Sequence, residues 1–176
     1  MKMDLSEFIK EYPAYFPEHV CDELIIQYET QRSMGNYNLE YDIMDNDLMK
    51  FAQIGLDNSD DLTRVATNLF VQAANEYIKD FKYCKKPVSL EKLRIKKYPV
   101  GGYFKEHVDA TTYDLSTRYL AMFVYLNDSG GTTFFNQTIP AEKGKVVIFP
   151  PNWMFPHSGF VGNKPKYFLS TYLHYS

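Results

Sequence analysis

The spacing of apolar positions divides the chain into two unlike parts. Val20, Cys21, Leu24, Ile25 and Tyr28 recur at helical spacing and predict a helix over residues 17–32, with Pro17 suited to the first turn. A wider stripe follows, made of Leu62, Val65, Ala66, Leu69, Phe70, Ala73, Ala74, Tyr77, Ile78 and Phe81, and it predicts a helix over 60–82. The Asp60-Asp61 pair favours its start by capping and by the helix dipole. Residues 33–59 are polar, carry Gly35, Gly55 and several Asn and Asp, and read as a long irregular connection, with room for short elements, of the kind that often forms a lid. From about residue 88 the pattern changes. Short runs rich in Val, Ile, Tyr, Phe and Thr are punctuated by Gly, Pro and Asn. Strands are expected at Leu93-to-Tyr98, Tyr103-to-Asp109, Arg118-to-Asn127, Thr132-to-Phe135, Lys145-to-Phe149 and Lys166-to-His174.

Two helices followed by a run of strands is an α+β pattern, and many short strands closing on themselves imply a sandwich or a jelly-roll barrel. The 176 residues make a single domain, with 1–87 a helical N-terminal support region and 88–176 the jelly-roll part. Composition agrees with a globular chain: 45% apolar, 23% charged, and rich in aromatics with 15 Tyr and 13 Phe, which suits half-buried strands. No apolar run is long enough to span a bilayer and the first residues do not read as a signal peptide, so the expected setting is cytoplasmic with no membrane partner. Cys21 and Cys84 form no paired motif and are expected as reduced thiols, Cys21 on the apolar face of its helix. The net charge of −3 hides an asymmetry: residues 1–62 sum to −10 and residues 63–176 to +7. A solvated surface accounts for that, and so does a C-terminal body that attracts anions. The balance is not that of a dedicated nucleic-acid binder.

The candidate chemistry lies in His107-Val-Asp109 read with His157. Two imidazoles and a carboxylate are the facial ligand set that holds non-haem Fe(II) with positions left open. Zinc takes the same residues, but open positions favour iron. His-x-Asp alone is weak, since about 0.3 such triplets arise by chance in this composition, and a motif gains weight only from context. Here the context is an ordered set: strand, His107, Asp109, further strands, His157, then Lys166 opening the last strand.

That order carries a resemblance. The run Tyr98-Pro-Val-Gly-Gly-Tyr103-Phe-Lys-Glu-His107-Val-Asp109, the strand Arg118-Tyr-Leu-Ala-Met-Phe-Val-Tyr125-Leu-Asn127, the turn Gly130-Gly131-Thr132-Thr133-Phe134-Phe135, and Lys145-to-Pro150, His157-Ser-Gly and Lys166-Tyr167 together resemble the catalytic core of the prolyl 4-hydroxylases, within the Fe(II)/2-oxoglutarate dioxygenase superfamily. The resemblance implies a double-stranded β-helix, or jelly roll, with the N-terminal helices packed against it. It implies that His107, Asp109 and His157 bind iron. It also implies that Lys166 pairs with the distal carboxylate of 2-oxoglutarate, helped by Tyr98 and Tyr125. Ser170 shares the face of Lys166 by alternation and is a further pocket candidate. Arg118, Tyr103 and Tyr172 are placed on the substrate side. Thr132 departs from the family turn, which often has Glu there.

The expected activity is that of an oxidoreductase, a dioxygenase using Fe(II), 2-oxoglutarate and O₂, with ascorbate a candidate reductant and succinate and CO₂ as co-products. The leading substrate is a peptidyl proline in a peptide or protein. The same centre acting on a modified nucleobase or small metabolite is an alternative, for which the basic run Lys82, Lys85, Lys86, Lys92, Arg94, Lys96, Lys97 leaves room. A non-catalytic jelly-roll binding module is a second alternative.

Overall fold

The computed structural model describes residues 4–34, 41–87, 89–135 and 137–175. After a short 3₁₀ turn, β1 (Lys10–Tyr12) leads into α1 (Glu18–Ser33). A hairpin follows, β2 (Tyr41–Asp45) and β3 (Met49–Gly55), and then α2 (Asp61–Asp80). The remaining strands come in quick succession: β4 (Ser89–Leu90), β5 (Arg94–Tyr98), β6 (Tyr103–His107), β7 (Arg118–Tyr125), β8 (Gly131–Phe134), β9 (Gln137–Pro140), β10 (Val146–Phe149), β11 (His157–Phe160) and β12 (Lys166–His174).

Both helices lie where their apolar periodicity puts them. Asp60 stands at the N-cap of α2, but its side chain does not cap. Its carboxylate instead accepts from Gln27 Nε2 at 2.7 Å and from Thr63 Oγ1, linking the two helices. Residues 33–59 are more regular than a mainly irregular connection with short elements: they hold β2 and β3, paired residue for residue from Tyr41–Ile54 to Asp45–Lys50. Residues 35–40, part of the lid expectation, lie outside the described residues. Strand identity here came from long-range pairing, because Tyr-Asp-Ile-Met-Asp has no apolar face of its own to announce it.

The strands join in one continuous ribbon, β1-β10-β7-β12-β5-β3-β6-β11-β8-β9, all antiparallel. The result is a mostly β, jelly-roll-like half-barrel with two helices. Period-two alternation sorts each strand between two cores. Leu120, Met122 and Val124 of β7, Val146 and Ile148 of β10 and Leu169 and Leu173 of β12 join a cluster with Val20, Leu24 and Tyr28 of α1 and Ala66, Phe70, Ala73 and Tyr77 of α2. The opposite faces, Ala121, Phe123 and Tyr125, Val147 and Phe149, meet Phe134 of β8 and Ile139 of β9 in a second, interior cluster. The ribbon has therefore folded back on itself, and the cavity described below opens beside this interior core.

One break in the ribbon matters to the site. β5 and β6 run along the same edge of β3, which pairs its residues 52–55 with β5 and 49–50 with β6. The chain between them makes a tight turn in which Gly102 N–H donates to Pro99 O at 2.7 Å. A Cβ at Gly102 would lie 2.8 Å from the Lys50 carbonyl, so glycine lets β3 approach. Cys21 and Cys84 are both free thiols. Among the described residues no helix is long and apolar enough to cross a membrane.

Candidate active site

His107 ends β6 and His157 opens β11, and the two are direct cross-strand partners. Neighbouring strands thus bring together imidazoles 50 positions apart in the chain. Strand β11 was not expected from the sequence. The expected strand through Asp109 stops two residues earlier, so Asp109 is not held by strand alternation. Its N–H, and that of Ala110, donate to Pro151 O at 3.2 and 3.1 Å. The carboxylate then spans the two rings: Oδ1 lies 3.6 Å from His107 Nε2 and Oδ2 lies 3.5 Å from His157 Nε2. One ligand atom from each of the three residues falls within 4.8 Å of the other two.

The rings are set for a metal. His107 Nδ1 lies 2.8 Å from Lys105 O and His157 Nδ1 lies 3.1 Å from Phe155 O. A carbonyl only accepts, so each ring carries its proton on Nδ1 and turns the Nε2 lone pair to the common point. Phe104 stacks on His107 with centroids 3.4 Å apart, and Phe134 and Phe149 pack on His157. Burial lowers the His157 pKa, which favours the neutral ring, the form able to bind a metal. Burial alone would push the Asp109 pKa up, but the imidazoles of His107 and His157 and the ammonium of Lys96 outweigh it and hold the carboxyl down to about 2. Asp109 Oδ1 also accepts from the Tyr172 hydroxyl at 2.9 Å.

A cavity opens from this triad. Its wall includes Lys96 and Tyr98 from β5 and Lys166, Phe168, Ser170 and Tyr172 from β12. Lys166 is 1% exposed, and among the described residues no carboxylate neutralises it. Its Nζ donates to Gly131 O at 2.5 Å and lies 5.2–5.6 Å from the ring centres of Tyr125, Phe168 and Tyr98. Burial first, and then the neighbouring Lys96, bring its pKa down to about 7. A buried ammonium with no counter-charge calls for an anion. Space for one exists: a Cβ built on Gly159 would lie 3.8 Å from Lys166 Nζ and 3.9 Å from the Tyr98 hydroxyl, so glycine leaves the point between them clear.

The other expected residues are placed as follows. Tyr98 and Ser170 line the cavity with Lys166. Tyr125 sits behind the wall, donating to Thr132 Oγ1 at 2.8 Å; Thr132 itself lines the cavity. Arg118 does not face the cavity. Its guanidinium binds Glu91 through Nε and Nη2, reaches Asp109 O at 3.1 Å and lies 3.8 Å over the Tyr172 ring. Tyr103 is turned away, donating to Asn46 O at 2.8 Å. Lys96, expected only as one of a basic run, is on the cavity wall. The signal was present, because Lys96 and Tyr98 are i and i+2 on one strand.

Residues 93–174 match the family model described as the 2OG-Fe(II) oxygenase superfamily. These residues belong to that superfamily. No curated relative matches the chain by sequence. Among solved structures the chain is similar to a Pseudomonas putida prolyl-4-hydroxylase (14% identity, TM-score 0.75, covering 96% of this chain and 93% of that one). It is also similar to the viral collagen prolyl hydroxylase of Paramecium Bursaria Chlorella virus-1 in its 2OG complex (15%, 0.69, 96% and 97%). A third is SnoN, a non-haem alpha-ketoglutarate-dependent epimerase from nogalamycin biosynthesis (16%, 0.70, 95% and 78%). The likeness to the prolyl hydroxylases is one of fold. The matching cofactors are Fe(II) and 2-oxoglutarate, and the donor set and the buried, unneutralised lysine fit them.

Proposed function

We propose that the chain is a double-stranded β-helix dioxygenase that hydroxylates a prolyl residue of a peptide or protein. His107, Asp109 and His157 hold the Fe(II). Lys166 holds the distal carboxylate of 2-oxoglutarate, with the Tyr98 hydroxyl and Ser170 beside it. The observation that carries the reading is the placement of a buried, unneutralised Lys166 in the same cavity as three convergent ligand atoms. When bound, iron and 2-oxoglutarate supply the oxidising power, with O₂ consumed and succinate and CO₂ released. The chain's own work is positional. Backbone carbonyls fix the imidazole tautomers, Tyr172 orients Asp109, Phe134 backs His157, and Phe104, Phe149 and Phe168 keep the walls apolar. No side chain is needed as a separate acid or base.

The prolyl substrate draws its support from the fold shared with the two hydroxylases. It is tested with a peptide panel supplied with Fe(II) and 2-oxoglutarate, scored by mass for the gain of one oxygen on proline. Succinate formation should require iron and vanish in Asp109→Ala. Full turnover in that variant, or oxygen gain only on non-prolyl compounds, would overturn the corresponding part of the reading.

A further inference from the structure

Strand β5 carries three cations, and two of them have carboxylate partners: Arg94 with Glu91 at 3.4 Å and Lys97 with Glu29 at 2.5 Å. Lys96, between them, faces the cavity. Among the described residues it makes no hydrogen bond and no ion pair. Its Nζ lies 5.4 Å from the centre of the Phe168 ring and 5.5 Å from that of Phe51. Lys166 Nζ lies at the same 5.4 Å from Phe168, so the two ammonium groups are within twice that distance of each other in one pocket. The nearby carboxylates are already committed. Asp109 serves the triad and Tyr172, and Glu91 serves Arg118, Arg94 and His174.

The charges of the filled site then decide what Lys96 meets. Fe(II) brings two positive charges and Lys166 one. Asp109 and the two carboxylates of 2-oxoglutarate bring three negative charges. Those groups balance before Lys96 is counted. An added ammonium, half-buried among the Phe51 and Phe168 rings, is costly unless an anion joins it. Neither the described residues around the cavity nor the co-substrate has one left.

We infer that Lys96 is the anchor for an anionic group, a carboxylate or a phosphate, carried by the substrate close to the bond that reacts. The inference rests on the cofactor assignment above and narrows its substrate class: a neutral prolyl segment is insufficient, and an acidic group must lie beside the target carbon.

Binding can be read without turnover by loading the protein with Zn(II), which has no redox chemistry, and with 2-oxoglutarate. The affinity for 2-oxoglutarate is measured first, in wild type, Lys96→Met and Lys166→Met. Matched ligands are then titrated by ligand-observed NMR: acetate against acetamide, N-acetylproline against N-acetylprolinamide, and short peptides with Asp or Asn next to proline. The small acids and the peptides separate the two sources of one anionic chemistry. Acids should bind about tenfold or more tightly than their amides, the scale of one charge-assisted hydrogen bond. Lys96→Met should erase that preference, and Lys166→Met should instead weaken 2-oxoglutarate. Equal binding of acids and amides by wild type overturns the inference, as does a preference that survives in Lys96→Met. It is also overturned if Lys96→Met weakens 2-oxoglutarate as much as Lys166→Met does. Metal-dependent 2-oxoglutarate binding that needs Lys166 upholds the cofactor assignment whichever ligand of a pair wins, so the two readings fail separately.

Discussion

Replacing Tyr172 by Phe removes one oxygen and leaves the ring. The ring stays under the Arg118 guanidinium, 3.8 Å from its centre, so the packing of β12 is retained. What disappears is the 2.9 Å hydrogen bond to Asp109 Oδ1. That bond fixes the rotation of the carboxylate that would hold the metal. A hydrogen bond to a charged group contributes about 1.5–3 kcal/mol, and about 1.4 kcal/mol is a factor of ten in affinity. Losses of about 10–100-fold are also what removal of an outer partner of a metal ligand produces. Tyr172→Phe should therefore raise the dissociation constant for Fe(II), or for Mn(II) as an air-stable stand-in, about tenfold or more. Anaerobic titration against a competing chelator reads this directly. The thermal midpoint of the metal-free protein should stay close to wild type. Unchanged metal affinity would refute the argument and show that the backbone contacts of Asp109 to Pro151 and Arg118 set its orientation alone. A collapse of the metal-free midpoint would show that the hydroxyl holds the fold and not the ligand.

Three further outcomes follow from the same geometry. Gly159→Val should place methyl groups in the gap between Lys166 Nζ and the Tyr98 hydroxyl and abolish 2-oxoglutarate binding while metal affinity stays within about threefold; calorimetry with and without 2-oxoglutarate checks it. Lys166 titrates near pH 7 when its pocket lacks an anion, and a bound carboxylate raises that pKa. Binding should thus take up a proton above pH 7, with affinity full below that pH and falling as pH rises through it; calorimetry in buffers of different ionisation enthalpy would show no buffer dependence at pH 8 if this were wrong. Phe70→Ala, at a fully buried site with its ring tilted against Phe16, should cost about 3–5 kcal/mol in denaturant unfolding, and a loss under about 1 kcal/mol would mean that the two helices contribute little to the core.

The two helices were legible because a stripe of apolar residues at 3.6 spacing is a local signal, and their observed ends differ from the expected ones by at most two residues. The later strands were legible for the same kind of reason: Arg118-to-Tyr125 and Lys166-to-His174 are β-rich and bounded by turn residues. The hairpin of β2 and β3 and the short strands β1, β4, β9 and β11 were not, because they owe their form to partners far away in the chain. Lys10–Tyr12 is a strand only because it meets Val146–Ile148. In the cavity, alternation placed Ser170 beside Lys166, and the same rule applied to β5 would have found Lys96 beside Tyr98. Arg118 could not be read in this way. What a guanidinium binds depends on where Glu91 arrives, 27 positions upstream, and no local pattern states that.

The strand β3 bears on how the site comes into being. The family signature covers residues 93–174, yet within that span the segment bearing Lys96 and Tyr98 and the segment bearing His107 share no ladder with each other; both are hydrogen-bonded to residues 49–55. A piece cut to the signature would leave two open edges at the point where the metal ligands must meet the co-substrate wall, and open edges recruit other chains. The centre thus depends on contacts of high sequence separation, which form late and slowly. Metal competence should accordingly be among the last properties to appear on refolding, after both helices. Residues 41–55 serve as the splint across which the two halves of the centre are held in register.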